Sequence, residues 1–155
     1  MENTTNQLRE RLLIAKKRAF ETMSAEDAIA VENYAKGYMA YLDNAKTERE
    51  ASREAMRLAA EKGYVPYAEG SALTAGSKYA VAFGDKMTVF IHIGRKPLAE
   101  GCNIIASHID SPRLDLKPNP LYEASDAAYF KTHYYGGIRK YQWLTIPLEL
   151  RGVVS

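Results

Sequence analysis

The stretch "NIIASHIDSPRLDLKPNP" (residues 103–120) decides how this chain is read. Ile104, Ile105 and Ala106 are consecutive apolar residues, the pattern of a strand covered on both faces in a parallel or mixed sheet. A strand is therefore expected over 102–108, ending in His108. Ligands of open α/β sheets bind beyond the carboxyl ends of the strands, so His108 stands where chemistry would be sited. A neutral imidazole is a common zinc ligand. In an extended chain Asp110, two residues on, points to the same side. There it could accept the proton of the second ring nitrogen and fix the tautomer, or orient a different group. The plainer alternative is a capped strand end, with Asp110-Ser111-Pro112 as a turn and His108 as a satisfied, half-buried histidine.

Toward the C-terminus, "RLDLKP" (113–118) reads as a short extended piece, with Leu114 and Leu116 inward and Asp115 and Lys117 outward. Pro118 and Pro120 restrict the residues before them to extended conformations, a plausible crossing between domains. The texture then becomes tyrosine-rich, and "LTIPLELRGVVS" (144–155) returns to strand-like alternation. Toward the N-terminus, "KYAVAFG" (78–84) and "MTVFIHIG" (87–94) flank a Gly84-Asp85 turn signal, so a hairpin is expected. Thr88, Phe90 and His92 share one face of its second strand, and Val89, Ile91 and Ile93 the other. His92 is read as packed.

The first part of the chain is helical. Leu8, Leu12, Ala15 and Ala19 share a face over 7–21, with Lys16, Lys17 and Arg18 as a solvated, dipole-favoured end. Ser24, with Asp27 three residues on, starts a second helix carrying a half-buried stripe of Val31, Tyr34, Ala35, Tyr38 and Leu42. Thr47 and Glu50 form a capping box for a third helix. That helix has a narrow face of Ala51, Ala55, Leu58 and Ala59, and Gly63 ends it. The fold class expected is α/β: N-terminal helices, then a mixed β-sheet core, then the start of a further β unit.

Composition narrows the function. The chain has 155 residues, 46% hydrophobic and 26% charged, as in a globular domain. Net charge is +2, from 21 basic and 19 acidic residues, too balanced to imply a nucleic-acid partner. No stretch approaches the ~20 apolar residues of a membrane helix, and the N-terminus lacks an apolar signal core. Cys102 is the single cysteine, so no internal disulfide can form and a reducing compartment fits. The expected location is cytoplasmic, with no membrane and no nucleic acid as partner.

"ASHIDSPRLDLKPNPLYE" (106–123), followed by "YYGGI" (134–138) and "WLTIPLELRGVV" (143–154), resembles the M18 family of metallo-aminopeptidases, the aspartyl aminopeptidase group. "YLDNAKTEREASREAMRLAAEKGY" (41–64) is similar to its N-terminal region. The resemblance covers nearly the whole chain. It implies a zinc-peptidase-type catalytic domain that takes two divalent metal ions, usually zinc. A metal-activated water, with a glutamate as general base, cleaves one residue from a peptide N-terminus. It implies His108 as a metal ligand and Asp110, among the catalytic groups, as the acid that supports it. It places the first part of the catalytic domain at 1–118 and the beginning of an inserted β-rich dimerisation domain at 119–155. A peptide substrate and a homo-oligomer go with it.

The chain also departs from the family. Thr145-Ile146-Pro147-Leu148 stands where the family carries D-R-D-L, as in a divergent subgroup. The family's general base lies in a Glu-Glu pair, and this chain has none. The chain is therefore expected to be the N-terminal portion of a longer enzyme and inactive by itself. The remaining ligands and the base then lie outside it. His133, in "KTHYYGG", is read as a loop histidine of the inserted domain without a ligand role. The alternative to an enzyme is a non-catalytic assembly or binding module that retains the peptidase fold.

Overall fold

A computed structural model describes residues 2–14 and 17–154. It divides into two compact units, one ending at Ala40 and one beginning at Tyr41.

In the first unit, helix α1 spans Glu2–Leu12 and helix α2 spans Ala19–Thr22. The single helix expected over 7–21 is thus two. Ala15 and Lys16, which belonged to that expectation, lie outside the described residues. Arg18, at the N-cap of α2, is extended and gives no side-chain cap. Helix α3, Ala25–Asn44, starts as the sequence indicated. Ser24 Oγ accepts the Asp27 amide at 3.0 Å and donates to the Asp27 carboxylate at 2.7 Å. Its tyrosine stripe is not half-buried as expected: Tyr34 is 79% exposed, and no residue of α3 is buried.

The second unit is built on helix α4, Glu48–Glu61. Thr47 and Glu50 close the capping box from both sides, each side chain taking the other's backbone N–H. At the other end Gly63 has φ +81°. Its amide reaches the Ala60 carbonyl, and the Tyr64 amide reaches that of Ala59, both at 3.0 Å. That is a Schellman ending, which a left-handed glycine permits. Ala51, Ser52 and Ala59 are buried on one face, where small side chains let the sheet approach closely.

That sheet is mixed, in the order β1-β2-β3. Strand β1, Val65–Pro66, runs parallel to β2, Lys78–Phe83, which runs antiparallel to β3, Met87–His92. Ala80 faces Phe90 and Lys78 faces His92 across the ladder. On that face Tyr64 meets Phe90 edge-on at 5.7 Å, and Lys78 Nζ donates to the Lys62 carbonyl at 2.9 Å. Tyr79 and Ala80 are buried. Gly84 and Asp85 both take positive φ, and the Lys86 amide closes the turn onto the Phe83 carbonyl at 3.1 Å. Helices followed by a mixed sheet make the chain α/β, as expected.

Two expectations fail. Residues 102–108 form no strand, and Ile104 and Ile105 are 83% and 98% exposed. A strand exists only through a neighbour that takes its backbone hydrogen bonds, and no described residue pairs with this stretch. The strand-like alternation of 144–154 likewise forms no ladder. Conversely, the extended piece at 113–118 is longer than expected. Strand β4 spans Arg113–Ala124 and pairs antiparallel with β5, Ala127–Tyr135. The turn is Ser125-Asp126, both at positive φ, the conformation a two-residue hairpin loop demands. Pro118 and Pro120 lie inside β4, where the register slips between Leu116 and Leu121. Proline has no N–H to give a ladder, so it sits where the ladder is interrupted. The boundary expected at 118/119 falls at this irregularity. A short helix, α5, follows at Lys140–Trp143.

Candidate metal centre

His108 and Asp110 lie on the segment that runs into β4. Two oxygens face Nδ1 of His108: the Asp110 carboxylate Oδ1 at 2.8 Å and the Asp110 backbone carbonyl at 3.1 Å. Both accept, so Nδ1 is the donor, and a neutral ring with its proton there has its lone pair on Nε2. The contact that sequence spacing left open is therefore made. The ring is 82% exposed, so Nε2 is accessible, whereas Asp110 is 31% exposed. The half-buried histidine of the plainer alternative is not observed.

The Tyr135 hydroxyl beside Asp110 is the main cause that lowers its pKa below the usual carboxylate value, with its own backbone N–H and His108 adding to this against partial desolvation. Reciprocally, the Asp110 carboxylate raises the Tyr135 phenol above its ordinary value. Arg113, opposite Tyr135 in the β4–β5 ladder, lies over the tyrosine ring at 4.1 Å. Its Nη1 reaches Glu48 Oε1 at 2.9 Å, and its Nε reaches Asp115 Oδ1 at 2.7 Å. Glu48 opens α4. Nearby, Glu50 of the capping box takes Arg151 Nη1 at 2.6 Å. Burial opposes ionisation of Glu50, but its bonds from Arg151 and Thr47 outweigh that and lower its pKa.

Two of the sequence segments that carried the family resemblance touch. Gly136 follows Tyr135 with φ +72°, and a Cβ placed on it would meet Pro112 Cα at 3.4 Å. Tyr135, Arg113 and Glu48 were not singled out from the sequence. The only signal for Tyr135 was its place before the glycine pair, and Arg113–Glu48 spans 65 positions.

The other histidines stand apart from this corner. His92 ends β3 and is exposed rather than packed. His133 is a strand residue of β5, not a loop residue, opposite Asp115 and stacked on Tyr134 at 5.2 Å. Among the described residues no group of three or more His, Cys, Asp or Glu side chains is arranged to hold a metal ion. Nor is any helix long and apolar enough to cross a membrane. A neutral imidazole with a carboxylate on its other nitrogen suits zinc as one ligand. A zinc site takes three or four ligands, of which this pair has the chemistry to supply one.

Residues 41–155 match the model of the peptidase M18 family, described as aminopeptidase I zinc metalloprotease. A probable M18 family aminopeptidase 1 from Borrelia garinii subsp. bavariensis is 40% identical over 139 residues, covering 90% of this chain and 30% of that protein. The protein of the same description from Clostridium acetobutylicum is 49% identical over 119 residues, covering 74% and 25%. Among solved structures, aminopeptidase I from Borrelia burgdorferi B31 superimposes with a TM-score of 0.77 at 37% identity, covering 84% of this chain and 32% of that one. The chain belongs to the M18 family of zinc metalloproteases. It spans 30% of the length of the first of these relatives.

Proposed function

We propose that these residues contribute one corner of the metal site of a metal-dependent aminopeptidase, which removes the N-terminal residue from a peptide. The observation that carries this is the pair of acceptors on Nδ1 of His108, which leaves Nε2 as a metal-ligating lone pair. Membership of a zinc metalloprotease family supports it. Zinc, when bound, brings its water close to ionisation at neutral pH and polarises the scissile carbonyl. His108 would hold the ion, and Asp110 would fix the ring's tautomer and orientation. The full site is proposed to take two divalent ions, with the other ligands and the general base outside this chain.

In the same reading, 1–118 is the first part of the catalytic domain, and 119–155 begins an inserted β-rich dimerisation domain. The enzyme works in the cytoplasm as a homo-oligomer on peptide substrates. The 155-residue chain alone is expected to be inactive and to bind zinc weakly. Calorimetric titration checks this: tight, stoichiometric zinc uptake by this chain would contradict it. In the full-length protein, release of single N-terminal residues should stop on chelation and return with zinc. Activity that ignores chelators would overturn the proposal.

A further inference from the structure

Three consecutive residues in the first turn of α4 reach three separate stretches of the chain. Glu48 Oε1 accepts Arg113 Nη1 at 2.9 Å, at the start of β4. Glu50 Oε1 accepts Arg151 Nη1 at 2.6 Å, on the stretch after α5 that forms no ladder. Between them, Arg49 Nη1 lies 3.5 Å from the Gly84 carbonyl and 3.7 Å from Asp85 Oδ2, in the β2–β3 turn. The Arg49 contacts are long and exposed, and α4 also packs directly on β2 and β3. By contrast, β4 and β5 pack chiefly on each other, so for the hairpin a side-chain bond to α4 counts for more.

The two arginines are held alike. Each gives Nε to an acid two residues away on its own segment, Arg113 to Asp115 and Arg151 to Glu149, both at 2.7 Å. One edge of the planar guanidinium is thereby fixed, and Nη1 is aimed at the helix. The acids it meets favour the charged form, because a helix N-terminus stabilises anions. The side chains of Glu48 and Arg113 are each 30% exposed and that of Glu50 is 23% exposed, so these pairs are less screened than fully exposed ones. Glu50 does two jobs with two oxygens: Oε2 takes the Thr47 amide of the capping box, and Oε1 takes Arg151. Between the two arginines the chain runs out through the hairpin, turns at Gly136 and comes back. Both ends of this excursion meet one helical turn, across 65 and 101 positions.

We propose that the first turn of α4 is a double clamp: Glu48 grips the β4–β5 hairpin through Arg113, and Glu50 grips the returning stretch through Arg151, each independently of the other. Together they set the angle at which residues 113–151 leave and rejoin the helix and its sheet. The two arms move separately once released, because Gly136 and Gly137 part them and each arginine keeps an acid of its own. The clamp does not depend on a metal at His108.

The test reads distances within one chain of the full-length protein. Spin labels are placed on Arg53→Cys, exposed on α4, and on either Glu123→Cys in the hairpin or Leu144→Cys in the returning stretch. The exposed Cys102 is replaced as Cys102→Ser, with any other accessible cysteine, and unlabelled protein is added to dilute distances between chains. Wild type should give one narrow distance peak for each pair. Glu48→Gln removes the charge and leaves Arg113 with Asp115. It should lose the narrow hairpin peak and keep the Leu144 peak. Glu50→Gln leaves a residue that still serves in a capping box, and should do the reverse. Arg151→Gln alters no residue of α4 and should reproduce Glu50→Gln. Helicity should be unchanged in all three variants. A narrow peak kept by the arm whose glutamate was changed, or both arms broadened by one substitution, overturns the clamp. So does a wild type that is already broad, or an Arg151→Gln that fails to match Glu50→Gln. Lost helicity would make the stability of α4 the cause instead, and overturns it too.

Discussion

Two apolar stretches, "MTVFIHIG" (87–94) and "CNIIASH" (102–108), read alike as strands, yet only the first becomes one. Met87–His92 has its partner a turn away, and Gly84 and Asp85 supply the positive φ that brings the two strands together. Residues 102–108 have no described strand beside them, and Ile104 and Ile105 stay exposed. The same division runs through the metal corner. His108 and Asp110 sit on the segment without a ladder, while Tyr135 and Arg113 sit on a closed hairpin. Local signals close one region, and the proposed chemistry lies on the segment that forms no ladder.

That division can be broken by mutation. The largest effect is expected on the open segment. His108→Ala in the full-length enzyme should abolish metal binding at one site and with it activity, read by metal analysis and an aminopeptidase assay. Its melting temperature in the metal-free state should barely move, because the ring is exposed. Next, Asp110→Asn should leave the fold intact and lower zinc affinity or activity by about 10–100-fold, as changes to a ligand's supporting group do. Unchanged binding and activity in either variant would remove the metal role from this segment.

The closed region should respond in the opposite currency. Gly136→Ala forces an L-residue to φ +72° beside Pro112 and should cost about 1–2 kcal/mol, seen in denaturant or thermal unfolding. Thr47→Ala opens the capping box of α4 and should cost about 1 kcal/mol. If Thr47→Ala proved as damaging to zinc affinity as Asp110→Asn, the separation between the two regions would fail.

Much of the closed region was legible because its causes are local. Thr47, Glu50 and Gly63 mark both ends of α4 within their own few residues, and the structure forms both ends through them. Gly84-Asp85 marks one hairpin. The second hairpin was not legible, because Pro118 and Pro120 argued for a break after the extended piece at 113–118. The ladder instead absorbs them in a register slip and resumes at Leu121. One helix over 7–21 was read from spacing alone, where two helices form, the second starting after Arg18 without a side-chain cap.

For the corner itself, the sequence placed His108 and Asp110 two residues apart after an apolar run, and the family resemblance rested on those same letters. Spacing could not say whether the two side chains meet. Only the tertiary structure put both acceptors of Asp110 on Nδ1 and set Tyr135 beside the carboxylate. The physical reason is range. Caps, turns and glycines act over three or four residues, whereas the Arg113–Glu48 bond joins positions 65 apart and exists only once a helix and a hairpin have come together.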